Sequence, residues 1–173
     1  MPLHSVINRQ LSAAMRLQRP PVRGTCLPTS FAMAMDVPVI EVLNALGHDG
    51  SKVVWRDLPE PTCRRGFHIQ ELIRLAVQGG WSVTPVELAP VLGCADGRSF
   101  QVYPDAECWA FFERIIRTCQ GVIEGYGLRC RHAVAYDNGR IFDPDSGVYD
   151  YSREACQSRC FHPTHLWRLH RGQ

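Results

Sequence analysis

Apolar positions recur along this chain with two different periods, and the change of period divides it. Ile69, Leu72, Ile73, Ala76 and Val77 follow i, i+3, i+4, i+7 and i+8, the stripe of a one-faced helix that Gly79-Gly80 closes. Trp109, Phe112 and Ile116 mark a second such stripe over Ala106–Cys119. Val39–Leu46 has helical spacing up to Gly47, and Val6–Gln18 reads as a short amphipathic helix ended by Pro20-Pro21. After a loop over Val22–Thr25, the run from Leu27 to Met35 reads as a helix with small residues over much of its surface. Pro28 fits only the first turn of that helix, where its missing N–H costs nothing, so Cys26 falls at or one residue before the helix N-terminus.

Beyond Gly121 the pattern turns to strands: Val122–Glu124, His132–Tyr136, Arg140–Asp143 and His165–Leu169. Trp81–Leu88 is an earlier strand, and the Pro- and charge-rich stretch 52–65 is a loop. Helices first and an antiparallel sheet last predict an α+β fold of two layers sharing a cleft. The expected plan is one domain over 1–173, with an N-terminal helix in 1–20, a helical lobe over 21–119 and a sheet lobe over 120–173.

Composition narrows the classes of function. With 45% hydrophobic and 21% charged residues among 173, the chain is ordinary globular protein, long enough for a core. A net charge of +2 is too small for a nucleic-acid footprint, so no nucleic-acid partner is expected. No stretch approaches the roughly 18 apolar residues of a membrane helix, and Arg9, Arg16 and Arg19 interrupt any signal-peptide core. A cytoplasmic location without membrane association is the expectation, with delivery into a host cell by a specialised machine as the alternative. Arginine is the dominant base and Lys52 the only lysine, for which a GC-rich bacterial or phage genome is the expected reason and avoidance of ubiquitin attachment in a eukaryotic host the alternative. The eight cysteines lack framework spacing and are expected to be reduced thiols, with Cys108 and Cys119 reading as buried small hydrophobes.

Candidate chemistry begins with the hairpin. Asn138-Gly139 between apolar-rich runs is a strong two-residue turn signal. With those two as the loop, Asp137 faces Arg140, Val134 faces Asp143 and His132 faces Asp145. Side chains alternate faces, so His132, Asp143 and Asp145 share one side of the sheet, and either acid can reach the imidazole. Asp145 lies directly opposite, whereas Asp143 precedes Pro144, which would fix its backbone. A thiol at a helix start gains from the helix dipole, and a partner imidazolium further favours its thiolate. Cys26 and His132 thus supply a nucleophile and a general acid/base, with an Asp to orient the ring.

Thr25-Cys26 opening one helix, Arg65-Gly66-Phe67-His68-Ile69-Gln70-Glu71-Leu72 opening another, Cys130 to Tyr136, and Phe142-Asp143-Pro144 together resemble the papain-like cysteine peptidases. The nearest branch is similar to bacterial peptidases that process double-glycine leaders of bacteriocins, and the likeness is spread over about residues 18 to 170. It implies a papain-like fold, an N-terminal helical lobe packed on a C-terminal antiparallel sheet with the site in the cleft. It further implies Cys26 as nucleophile, His132 as base and acid, and Asp143 as orienting acid, with Asp145 secondary. An upstream Gln is implied as oxyanion donor, for which Gln18 is the candidate, eight residues before Cys26 rather than the usual six. Leu27 replaces the small residue usual after the cysteine.

The expected function is cysteine peptidase or isopeptidase action through an acyl-enzyme, on a peptide or protein substrate such as a Gly-Gly or ubiquitin-like tail. The alternatives are acyl transfer by the same triad and a catalytically inactive binding module. No cofactor is expected. Cys156, Cys160, His162 and His165 form a rival zinc set, but the spacing is crowded and His165–Leu169 reads as a closing strand, so no metal is expected.

Overall fold

The computed structural model describes residues 14–88, 91–95, 98–102, 106–127 and 130–171. Its helices are α1 (Cys26–Ala34), α2 (Val39–Leu46), α3 (Ile69–Gln78), α4 (Ala106–Thr118) and α5 (Arg153–Ser158). Its strands are β1 (Trp81–Glu87), β2 (Val91–Ala95), β3 (Arg98–Val102), β4 (Gln120–Tyr126), β5 (Arg131–Asp137), β6 (Arg140–Asp143), β7 (Gly147–Asp150) and β8 (His162–Arg171). Most of the helix expected over Val6–Gln18 lies outside the described residues, and 14–20 run without regular secondary structure. The class is α+β, with a six-stranded antiparallel sheet in the order β1-β8-β4-β5-β6-β7 and a separate β2-β3 pair.

Local chemistry explains the element boundaries. Gly47 ends α2 with φ +74°, and Glu71 folds back onto the His68 N–H at 3.0 Å to close the first turn of α3. Asn138 and Gly139 have φ of 47° and 86°, the two left-handed residues that a tight hairpin turn with right-handed strand twist requires. The turn sets the β5–β6 register: Asp137 pairs with Arg140, Tyr136 with Ile141 and Ala135 with Phe142.

Alternation along the central strands then builds two cores. Val122 and Ala133 pack with Phe31, Ala32 and Leu72 of α1 and α3. The intervening Ile123, Val134, Tyr136 and Ile141 pack with Phe112, Ile115 and Ile116 of α4 and Cys156 of α5. Helices therefore cover both faces, giving three layers rather than the expected two. The division at residue 120 does not describe the architecture either. β1 pairs with β8 through its seven residues, and the apolar stripe of α4 needs the sheet face away from α1. Among the described residues no single helix is long and apolar enough to cross a membrane.

Candidate active site

Cys26 is the first residue of α1, and the seven residues from Pro28 to Ala34 that follow Leu27 are all buried against the sheet and neighbouring helices. Such a helix cannot shift without opening the core, so its N-terminus is a fixed point. Thr25, fully buried, donates its hydroxyl to the Val22 carbonyl at 2.7 Å, and no side chain caps α1. Cys26 itself is half-buried, its thiol free.

His132 is the second residue of β5 and sits on the same face as Val134 and Tyr136. Asp143 ends β6 on that same face, buried to 3% exposure. The imidazole Nε2 and Asp143 Oδ1 lie 2.9 Å apart. Asp145, whose side chain is 68% exposed, places Oδ2 3.8 Å from Nδ1, an ion-pair separation beyond hydrogen-bond range. Cys26 also lies close enough to the ring to favour its protonated form. With Nε2 taken by Asp143, Nδ1 is the nitrogen left for the sulfur. α1 packs on one face of the sheet and the His132 side chain lies on the other, near where β5 and α1 both begin.

The electrostatics follow from these contacts. Burial opposes charge on His132, but the bonds to Asp143 and Cys26 outweigh it and raise its pKa from 6.5 to about 10. Burial likewise opposes charge on Asp143, yet His132, Ser146 and the Asp145 N–H bring it from 3.8 down to about 2. At neutral pH the ring is protonated and the carboxyl ionised.

Asp143 is held as well as charged. Its Oδ1 accepts the N–H groups of Asp145 and Ser146 at 2.8 and 3.2 Å, and its Oδ2 accepts the Ser146 hydroxyl at 2.5 Å. Arg19, 125 residues upstream, donates one guanidinium nitrogen to the Pro144 and Asp145 carbonyls, each at 2.8 Å. Phe161 stands edge-on to the imidazole, with centroids 5.7 Å apart and planes at 89°. Sequence reasoning missed these three supports. An Asp followed three residues on by Ser is an Asx-turn signal that could have found Ser146; nothing local points to Arg19 or Phe161.

Gln18 is a correction. Its Nε2 donates to the Val37 carbonyl at 2.8 Å, and its Oε1 accepts the Val39 N–H at 2.9 Å. Those groups lie past the C-terminal end of α1, and the eight steps of about 1.5 Å from Cys26 to Ala34 put that end roughly 12 Å from Cys26. The amide joins the N-terminal segment to the α1–α2 corner and does not reach Cys26.

The rival metal set is dispersed. Cys156 is buried in the core beneath α5, and burial pushes its thiol up to about 11. His165 is engaged with Thr164 at 2.9 Å and stacks on Trp167. Among the described residues no three His, Cys, Asp or Glu side chains converge to hold a metal ion. Comparison with protein-family models and with curated proteins finds no match to this chain.

Proposed function

We propose that this chain is a cysteine hydrolase of papain-like architecture that cuts a peptide or isopeptide bond in a peptide or protein substrate. The observation that carries the reading is the 2.9 Å His132–Asp143 contact on a ring whose other partner is Cys26. A buried, ionised acid on one side of an imidazole and a thiol at a helix N-terminus on the other is the arrangement that thiol acyl chemistry needs.

In the proposed reaction the Cys26 sulfur, its proton on His132, attacks the carbonyl carbon. The oxyanion forms at the uncapped N-terminus of α1, where the backbone N–H of Cys26 donates to it. Collapse breaks the C–N bond, the His132 proton passes to the departing nitrogen, and a thioester remains on Cys26. Water then attacks the thioester while His132 takes its proton; the C–S bond breaks and the acid product leaves. Asp143 stays ionised throughout and holds the ring in place.

The test is digestion of a complex peptide library, with new termini read by mass spectrometry. Wild type should generate new termini that are absent with Cys26→Ala and His132→Ala. The same termini from Cys26→Ala would contradict the reading.

A further inference from the structure

A cavity of about 220 Å³ opens between α4, α5 and the start of β8, walled by Trp109, Tyr151, Cys156 and Phe161, with Arg153 and Gln157 exposed at its mouth. Phe161 is the same ring that stands edge-on to His132 at 5.7 Å, so the cavity begins one aromatic ring away from the imidazole. We infer that this cavity is the subsite for the substrate residue on the leaving-group side of the scissile bond, and that it takes an apolar side chain. The inference rests on the hydrolase reading above and adds to it the position and chemistry of one substrate residue.

The side follows from the proton. The departing nitrogen must receive the His132 proton, so the part of the substrate beyond that nitrogen lies on the imidazole side of the site and the acyl part on the sulfur side. Phe161 and its cavity belong to the imidazole side, since His132 and the cavity walls share the α4 face of the sheet. Size sets what enters. Pockets for cofactors and larger ligands run from about 300 to 1,000 Å³, so 220 Å³ suits a single side chain. Charge sets which one. None of the described lining residues is acidic, and the Arg153 guanidinium lies 4.6 Å over the Trp109 ring, which disfavours Lys and Arg, while the walls of Trp109, Tyr151, Cys156 and Phe161 favour Leu, Met and Phe. Another cavity, beside Trp81, Asn138 and Arg168, is at the far end of the sheet. Asp137, which lines it, is five residues along β5 from His132, about 17 Å at strand rise.

Two measurements on the full chain test the subsite. In the first, leucinamide, phenylalaninamide, glycinamide and lysinamide, each a mimic of the amine product, are titrated while the Trp109 indole N–H is followed by NMR, its signal identified by loss in Trp109→Phe. Saturable shifts with the leucine and phenylalanine amides, much weaker with the other two and lost in Gln157→Trp, are expected. Equal responses to all four amides, or none, would overturn the subsite. In the second, the termini from library digestion should show Leu, Met or Phe over Gly by about tenfold or more at the first residue after the cut, falling in Gln157→Trp. Cleavage without that preference overturns the subsite and leaves the hydrolase standing. Amide binding at Trp109 with no cleavage by wild type supports the cavity as an apolar side-chain site and overturns the hydrolase.

Discussion

Replacing Asp143 with Asn keeps the size of the side chain and the carbonyl that accepts the Asp145 and Ser146 N–H groups, but removes the charge facing His132. The magnitude can be worked from the titration. A fall from 3.8 to about 2, at about 1.4 kcal/mol per unit, corresponds to about 2.5 kcal/mol of folded-state stabilisation. The side chain is only 5% exposed, so solvent screening reduces that little. The contribution has a window. The acid's folded pKa is depressed, so its share is present above pH 3.8 and lost as pH falls through about 2. The folded pKa of His132 is raised, so the same contact is fully present below pH 6.5 and lost as pH rises through about 10. Urea unfolding of wild type and Asp143→Asn across pH 2 to 10.5 should therefore differ by about 2–3 kcal/mol between pH 4 and 6.5, converge as pH falls to 2, and shrink as pH rises through 10 to the part that the Ser146 and Asp145 bonds contribute. A difference that is flat with pH, or absent at pH 6, would refute the reasoning, because either result means the buried carboxylate does not act through the imidazolium.

The corrected role of Gln18 separates two outcomes. Gln18→Ala should lower stability by about 1–2 kcal/mol through loss of its bonds to Val37 and Val39, with kcat on a cleaved peptide nearly unchanged. A drop of a hundredfold or more in kcat at unchanged stability would restore the oxyanion role. Gly125 pairs with His132 across β4–β5, and a Cβ there would lie 2.2 Å from the His162 carbonyl oxygen and 2.8 Å from the Phe161 ring. Gly125→Ala should cost about 3 kcal/mol in denaturant unfolding and disturb the Phe161–His132 contact; a neutral effect would mean β8 can give way there.

The geometry around His132 and Asp143 was more legible than the architecture around it. Asn138-Gly139 demands two left-handed residues, and that requirement alone set which residues of β5 and β6 pair. Pro28 confined Cys26 to the start of a helix because no other position tolerates a missing N–H. What period could not reveal is which face of a sheet a helix covers. The stripe of α4 has the same spacing as that of α3, yet α4 lies on the opposite side. Gly147–Asp150 and Arg153–Ser158 are short elements whose apolar content is too sparse for a period to register, and β7 and α5 were missed. Gln18 was placed at the site by analogy along the chain, whereas its amide found backbone partners at the other end of α1. Arg19 and Phe161 act across long sequence separations, so only the folded chain brings them to Asp143 and His132.

The most direct test of the central claim is where, and how fast, the native protein takes up an acyl-like electrophile. A mixed peptidyl acyloxymethyl ketone should attach once per chain, at Cys26, as read by intact-mass and peptide mass spectrometry. Among the described cysteines Cys130 is exposed, and Cys63 and Cys156 are buried, so access alone favours Cys130. The rate at Cys26 should fall by about a hundredfold or more in His132→Ala and to the Cys130 rate in urea. Attachment at Cys130 in preference to Cys26, or a Cys26 rate that is the same with and without His132, would contradict the account.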